Sequence, residues 1–119
     1  MAADRQHHRS IAMNTSFTVV HKRFPGYDEI AFSGIVDAKA DALLSELPDK
    51  VSSPLVKCNF HNVGRINSMG IALLLRCFKR IRDEHGAEIR ITALTSVNAM
   101  LFKMTGVFLL ANKDGEEPT

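Results

Sequence analysis

The sequence predicts a single α/β domain, a mixed sheet of four or five strands with amphipathic helices packed on it. Three observations predict this class. Two β-branched and aromatic runs near the start are parted by Pro25-Gly26, the pattern of paired strands joined by a turn. Further on, the apolar run from Leu55 to Phe60, a long segment with apolar residues three and four apart, and the alternating stretch Glu88 to Ala93 follow one another as strand, crossover helix and strand. The length of 119 residues, 45% of them hydrophobic and 24% charged, suits one core and leaves no room for a second.

Residues 1–16, rich in Arg, His, Ala and Asn, show no sustained period and are expected to form a flexible extension. They also lack the continuous apolar stretch of an export signal, so a cytoplasmic location is expected. The domain is expected to span residues 17–110. Phe17 to Lys22 and Tyr27 to Ser33 read as its first two strands, with Gly34 as punctuation. Ala40, Leu43, Leu44 and Leu47 then recur at helical spacing in a helix from Asp37 to Leu47, which Pro48 is expected to close. Leu55 to Phe60 is the third strand, compact and apolar enough for the middle of a sheet.

The clearest helix carries Ile71, Leu74, Leu75, Phe78 and Ile81 on one side and Arg76, Lys79, Arg80 and Asp83 on the other, with Gly86 placed to end it. Between Glu88 and Ala93, Ile89 and Ile91 alternate with polar residues, as in a half-exposed strand. Ser96 can cap a third helix that runs to Thr105 and closes at Gly106, and Val107 to Leu110 can add a short last strand. Residues 111–119 are expected to be a mobile acidic tail, since nothing from Asn112 onward is large and apolar.

Composition excludes several classes of function. A formal net charge of +2 is too small to indicate nucleic acid, and the cluster Arg76, Lys79, Arg80 and Arg82 reads as a solvated helix face. The longest apolar runs fall far short of a membrane span, so no membrane insertion is expected. Cys58 and Cys77 sit in apolar segments without CxxC spacing and are expected to be buried, reduced thiols. The five histidines are dispersed, and no spacing of ligands suggests a metal. Gly64 and Gly70 make neither a dinucleotide fingerprint nor a phosphate loop, so no cofactor is expected. Ser68 lacks the Gly-x-Ser-x-Gly setting of a hydrolase nucleophile, and the domain is expected to bind rather than catalyse. Met69, Met100 and Met104, at helical spacing, are expected to fill gaps in the core.

The candidate site is the segment from His61 to Gly70, read as a loop between the third strand and the strongest helix, a common place for recognition in open α/β sheets. Ser68 can cap that helix, or carry a phosphate that its first amides and dipole favour; the two roles use the same geometry.

Leu55-Val56-Lys57-Cys58-Asn59-Phe60 followed by Ile66-Asn67-Ser68-Met69-Gly70-Ile71-Ala72-Leu73-Leu74-Leu75 resembles the signature of the STAS family, the sulfate transporter and anti-sigma factor antagonist domains. That signature is an apolar strand and then Asp-Ser-[Ser/Thr]-Gly-[Leu/Ile] entering a helix, and the order of elements matches from about Phe17 to Leu110. The resemblance implies an anti-sigma factor antagonist: a regulator that binds an anti-sigma factor which is also a serine kinase, is phosphorylated by it on Ser68, and has a phosphatase as a further candidate partner. Around Ser68, the residues Arg65, Asn67, Met69, Gly70, Ala72, Leu73 and Arg76 are the expected partner surface, Leu73 reading equally as a boundary core residue. The sequence departs from the signature at Asn67, where Asp is usual, and at Met69, where a second hydroxyl is usual. Those departures make a second STAS role plausible, a constitutive docking subunit of a larger assembly such as a lipid-transport ABC system. A small Ser-dependent hydrolase on the same scaffold is the remaining alternative.

Overall fold

The computed structural model describes residues 16–113; the expected extension up to Thr15 and the tail beyond Lys113 lie outside the described residues. Ten elements follow one another: β1 (Thr18–Phe24), β2 (Tyr27–Val36), a 3-10 turn (Ala38–Ala40), α1 (Asp41–Lys50), β3 (Leu55–Ile66), α2 (Ser68–His85), β4 (Glu88–Thr92), α3 (Ser96–Thr105), a second 3-10 turn (Val107–Leu109) and β5 (Asn112–Lys113). The sheet order is β1-β2-β3-β4-β5. β1 runs antiparallel to β2 through the Pro25-Gly26 turn, where Gly26 takes φ +87°, and all later pairings are parallel. The α/β class with a mixed sheet is the predicted one, and of the four or five strands expected the sheet has five.

α2 buries most of the apolar stripe legible in its sequence: Ile71, Leu74, Phe78 and Ile81 face the core, joined by Cys77, while Leu75 is only partly buried at its edge. Gly86 ends it in the left-handed region (φ +62°) and returns its amide to the Arg82 carbonyl. A chain of aromatic rings crosses the interior. Phe32 of β2 lies 5.1 Å from Phe60 of β3, which meets Phe102 of α3 edge-on at 5.4 Å, and Phe102 in turn meets Phe108 at 6.0 Å. These contacts seat α3 against the sheet. Cys58 and Cys77 are free and buried, as their apolar contexts predict.

Several boundaries differ from those expected, each for a physical reason. Pro48 lies inside α1, which continues to Lys50; so near the helix end, a missing N–H removes one bond and not a turn. β2 passes through Gly34 (φ +91°) to Val36, since both residues still pair with β3; glycine stands at 34 because the backbone of Ser16 crosses so closely that a Cβ would collide with its carbonyl. β3 is twice its expected length. Its burial alternates up to Phe60, but Val63 and Ile66, three apart, are the next buried residues, because the β2–β3 register shifts between Ala31 and Ser33 and again between Gly34 and Val36. The two-residue period therefore ends at Phe60 although the strand does not. Thr95, not Ser96, caps α3, its hydroxyl accepting the Asn98 amide at 3.2 Å. Val107 to Leu109 form a turn, and the last strand lies beyond it, pairing Asn112 with Arg90 and Lys113 with Ile91 in the stretch expected to be tail. Among the described residues no helix is long and apolar enough to cross a membrane.

Candidate functional site

Lengthening β3 shrinks the expected loop to a single residue. Between Ile66, the last of β3, and Ser68, the first of α2, stands only Asn67. Its extended backbone (φ −95°, ψ −177°) turns the chain into the helix and is held at three points. Its amide donates to the Val36 carbonyl at 3.1 Å, its own carbonyl accepts from Ile71 at 2.9 Å, and its side-chain Oδ1 accepts the Gly70 amide at 2.8 Å.

Asn67, not Ser68, is thus the helix cap. This corrects the capping role that the sequence allowed Ser68. Asn ranks with Ser as a cap, and here it sits one residue earlier, where the backbone is still extended. Ser68 is exposed in the first helical position, and its hydroxyl has no hydrogen-bond partner among the described residues. With Gly70 and Ile71 bonded to Asn67, the amides of Ser68 and Met69 are the helix-start donors left without a partner among the described residues.

Gly70 is buried beneath this turn for want of space. A Cβ there would run into the Val36 carbonyl, far inside van der Waals contact, and would press the Val36 Cγ1 at 3.1 Å. The same close approach brings Asp37 to the rim of the site, since it follows Val36 directly; its carboxylate accepts the Lys39 amide at 2.9 Å and caps the first 3-10 turn.

The remaining expected residues divide. Ser68, Ala72 and Arg76, four apart, form one exposed ridge along α2, with Met69 beside it at 50% exposure. Leu73 does not belong to this surface. It is buried at 5% exposure and shares a crevice with Leu44 and Ser45 of α1, because α1 packs on α2 and widens its buried stripe. Arg65 is exposed but faces away from the α2 ridge, lining a groove between the end of β3 and α3.

Along that groove the expectation for the methionines fails. Met100 and Met104 are 57% and 76% exposed, Val97 is 77% exposed, and the core side of α3 is made by Asn98 and Phe102. The spacing of Val97, Met100 and Met104, at i, i+3 and i+7, is the signal that was present in the sequence; it marks a face separate from that of Phe102.

No family model matches the chain, and no curated protein does. Solved structures do match. An anti-sigma factor antagonist from Mycobacterium paratuberculosis superposes with a TM-score of 0.67 at 16% identity, over 84% of this chain and 87% of that one. The Bacillus cell fate determinant SpoIIAA in its phosphorylated form gives 0.57 at 13% identity, over 84% and 93%. A sulfate transporter family protein from Wolinella succinogenes gives 0.65 at 12% identity, over 76% and 80%. With a five-stranded mixed sheet and most of both chains aligned, the protein has the STAS fold, shared by anti-sigma factor antagonists and by a sulfate transporter family protein.

Proposed function

We propose that this chain is an anti-sigma factor antagonist: a non-enzymatic module that binds a partner, an anti-sigma factor with serine kinase activity, through the Ser68 turn and the Ala72–Arg76 ridge, and is released when that partner phosphorylates Ser68. The observation that carries this reading is the division of labour at the start of α2. Asn67 does the capping, which leaves the Ser68 hydroxyl exposed and without a hydrogen-bond partner among the described residues, as suits an acceptor for phosphoryl transfer. A phosphate on Ser68 would bring roughly 1.5 to 2 negative charges to the partner surface. The helix dipole and the amides of Ser68 and Met69 favour that charge in this chain, and uncharged Asn67 does not repel it from the adjacent position. Against a partner surface matched to the neutral hydroxyl, the same charge adds desolvation and repulsion, which supports release as the outcome.

The test is intact mass with peptide mapping of the protein isolated from its native cells, with and without phosphatase inhibition. A phosphate mapped to Ser68, with partner binding retained in Ser68→Ala and lost in Ser68→Asp, is the expected result. A second reading, a constitutive docking subunit, is favoured by the missing carboxylate at Asn67 and by the likeness to a transporter-family protein. Ser68 unmodified under every growth condition, with binding indifferent to Ser68→Asp, would select it.

A further inference from the structure

α3 turns an apolar face outward. Val97, Met100 and Met104 lie within one narrow stripe of the helix, opposite the Asn98 and Phe102 that hold it to the sheet. Beside the stripe runs a groove of about 670 Å³, walled by Val63, Ile66 and Leu101. The groove is built, not incidental: buried Asn98 donates from Nδ2 to the Gly64 carbonyl at 3.0 Å, tying α3 to the extended half of β3, and Phe102 anchors the helix from beneath. Among the described residues lining it Arg65 is the charged one, and Lys103 borders Met100 in the adjoining crevice. α3 contains no acidic residue.

We infer that this groove binds an amphipathic helix of a second protein, one with an apolar stripe flanked by carboxylates. Apolar anchors at i, i+3 and i+7 suit a helix laid alongside, and two thioether side chains can adjust to its shape. The charges select the occupant. A second copy of this chain, related by a two-fold axis, would set Arg65 and Lys103 against the same cations with no carboxylate from α3 to pair them. The chain's own ends fit no better by composition: residues 1–15 carry Arg5 and Arg9 against Asp4 alone, and residues 114–119 are acidic but hold no large apolar residue. This inference does not rest on phosphorylation of Ser68.

The experiment is an NMR titration of the full chain with two synthetic helical peptides that share one leucine stripe, flanked by Glu in the first and by Lys in the second. The acidic peptide is expected to bind at least about tenfold more tightly and to shift Arg65, Val97, Met100 and Met104. Met100→Glu should abolish that binding while leaving the unfolding midpoint unchanged, and Arg65→Glu should narrow or reverse the preference between peptides. Equal binding of both peptides, no binding of either, or shifts confined to other surfaces would overturn the inference. So would a dimer of the free protein that Met104→Glu dissociates, which assigns the stripe to a second copy. Flotation with anionic vesicles that Met100→Glu abolishes would overturn it in favour of a membrane surface.

Discussion

The carbonyl of Val36 and the α-carbon of Gly70 are in such close contact that no side chain can stand between them. The same carbonyl accepts the Asn67 amide, so the end of β2 and the start of α2 are joined by one bond and one bare methylene. Gly70→Ala must push them apart and is expected to cost about 1 to 3 kcal/mol, as overpacking does. Gly64→Ala, where a Cβ would meet nothing, is the matched control and should stay within about 0.5 kcal/mol. Urea unfolding of both variants checks the pair.

Capping by Asn67 separates the stability of α2 from the chemistry of Ser68. Asn67→Ala should lose about 1 kcal/mol, whereas Ser68→Ala should be near neutral. Asn67→Asp keeps the acceptor and adds a charge at the positive end of the helix, a gain of roughly 0.3 to 1 kcal/mol near neutral pH. Denaturant midpoints rank the three variants, and a large loss in Ser68→Ala would refute the assignment of the cap.

At the opposite end of the sheet the carboxylate of Asp28 is buried. Its Oδ2 accepts the amides of Ser52 (2.7 Å) and Ser53 (3.2 Å), while Oδ1 lies 3.3 Å from His21 Nε2 and 3.5 Å from Arg23 Nε. Burial opposes the charge, but the two amides and His21 together outweigh it and hold the carboxyl below its ordinary value. A carboxyl with a depressed folded pKa contributes stability that is present above the unfolded value, about 3.9, and is lost as pH falls through the lower folded value. Melting followed from pH 7 down to pH 2 should therefore fall below about pH 4. Asp28→Asn should be less stable at pH 7 and show a shallower fall.

Both thiols are pushed up by burial, Cys77 to about 12 despite the opposing pull of Arg80, and Cys58 well above the ordinary range, with Cys77 adding to the effect. Neither forms the reactive thiolate at neutral pH. Ellman's reagent should label neither cysteine of the folded protein at pH 8, and both once urea unfolds it. Rapid labelling of either one in the native state would contradict the burial.

The period of α2, the alternation of β4 and the Pro25-Gly26 turn are local patterns, written in residues near one another, and from them the mixed α/β class followed. The motif around Ser68 was equally legible, because it is contiguous. Contacts between distant segments determined the rest. The shifted pairing of β2 with β3 doubled the third strand and left Asn67 alone at the turn, and the packing of α1 on α2 buried Leu73. Phe102, meeting a ring of β3 edge-on beneath α3, decided which of that helix's apolar sides faces inward. A helix with apolar residues on two sides can bury only one against a single sheet, and the position of Phe60 made the choice that put Val97, Met100 and Met104 in water.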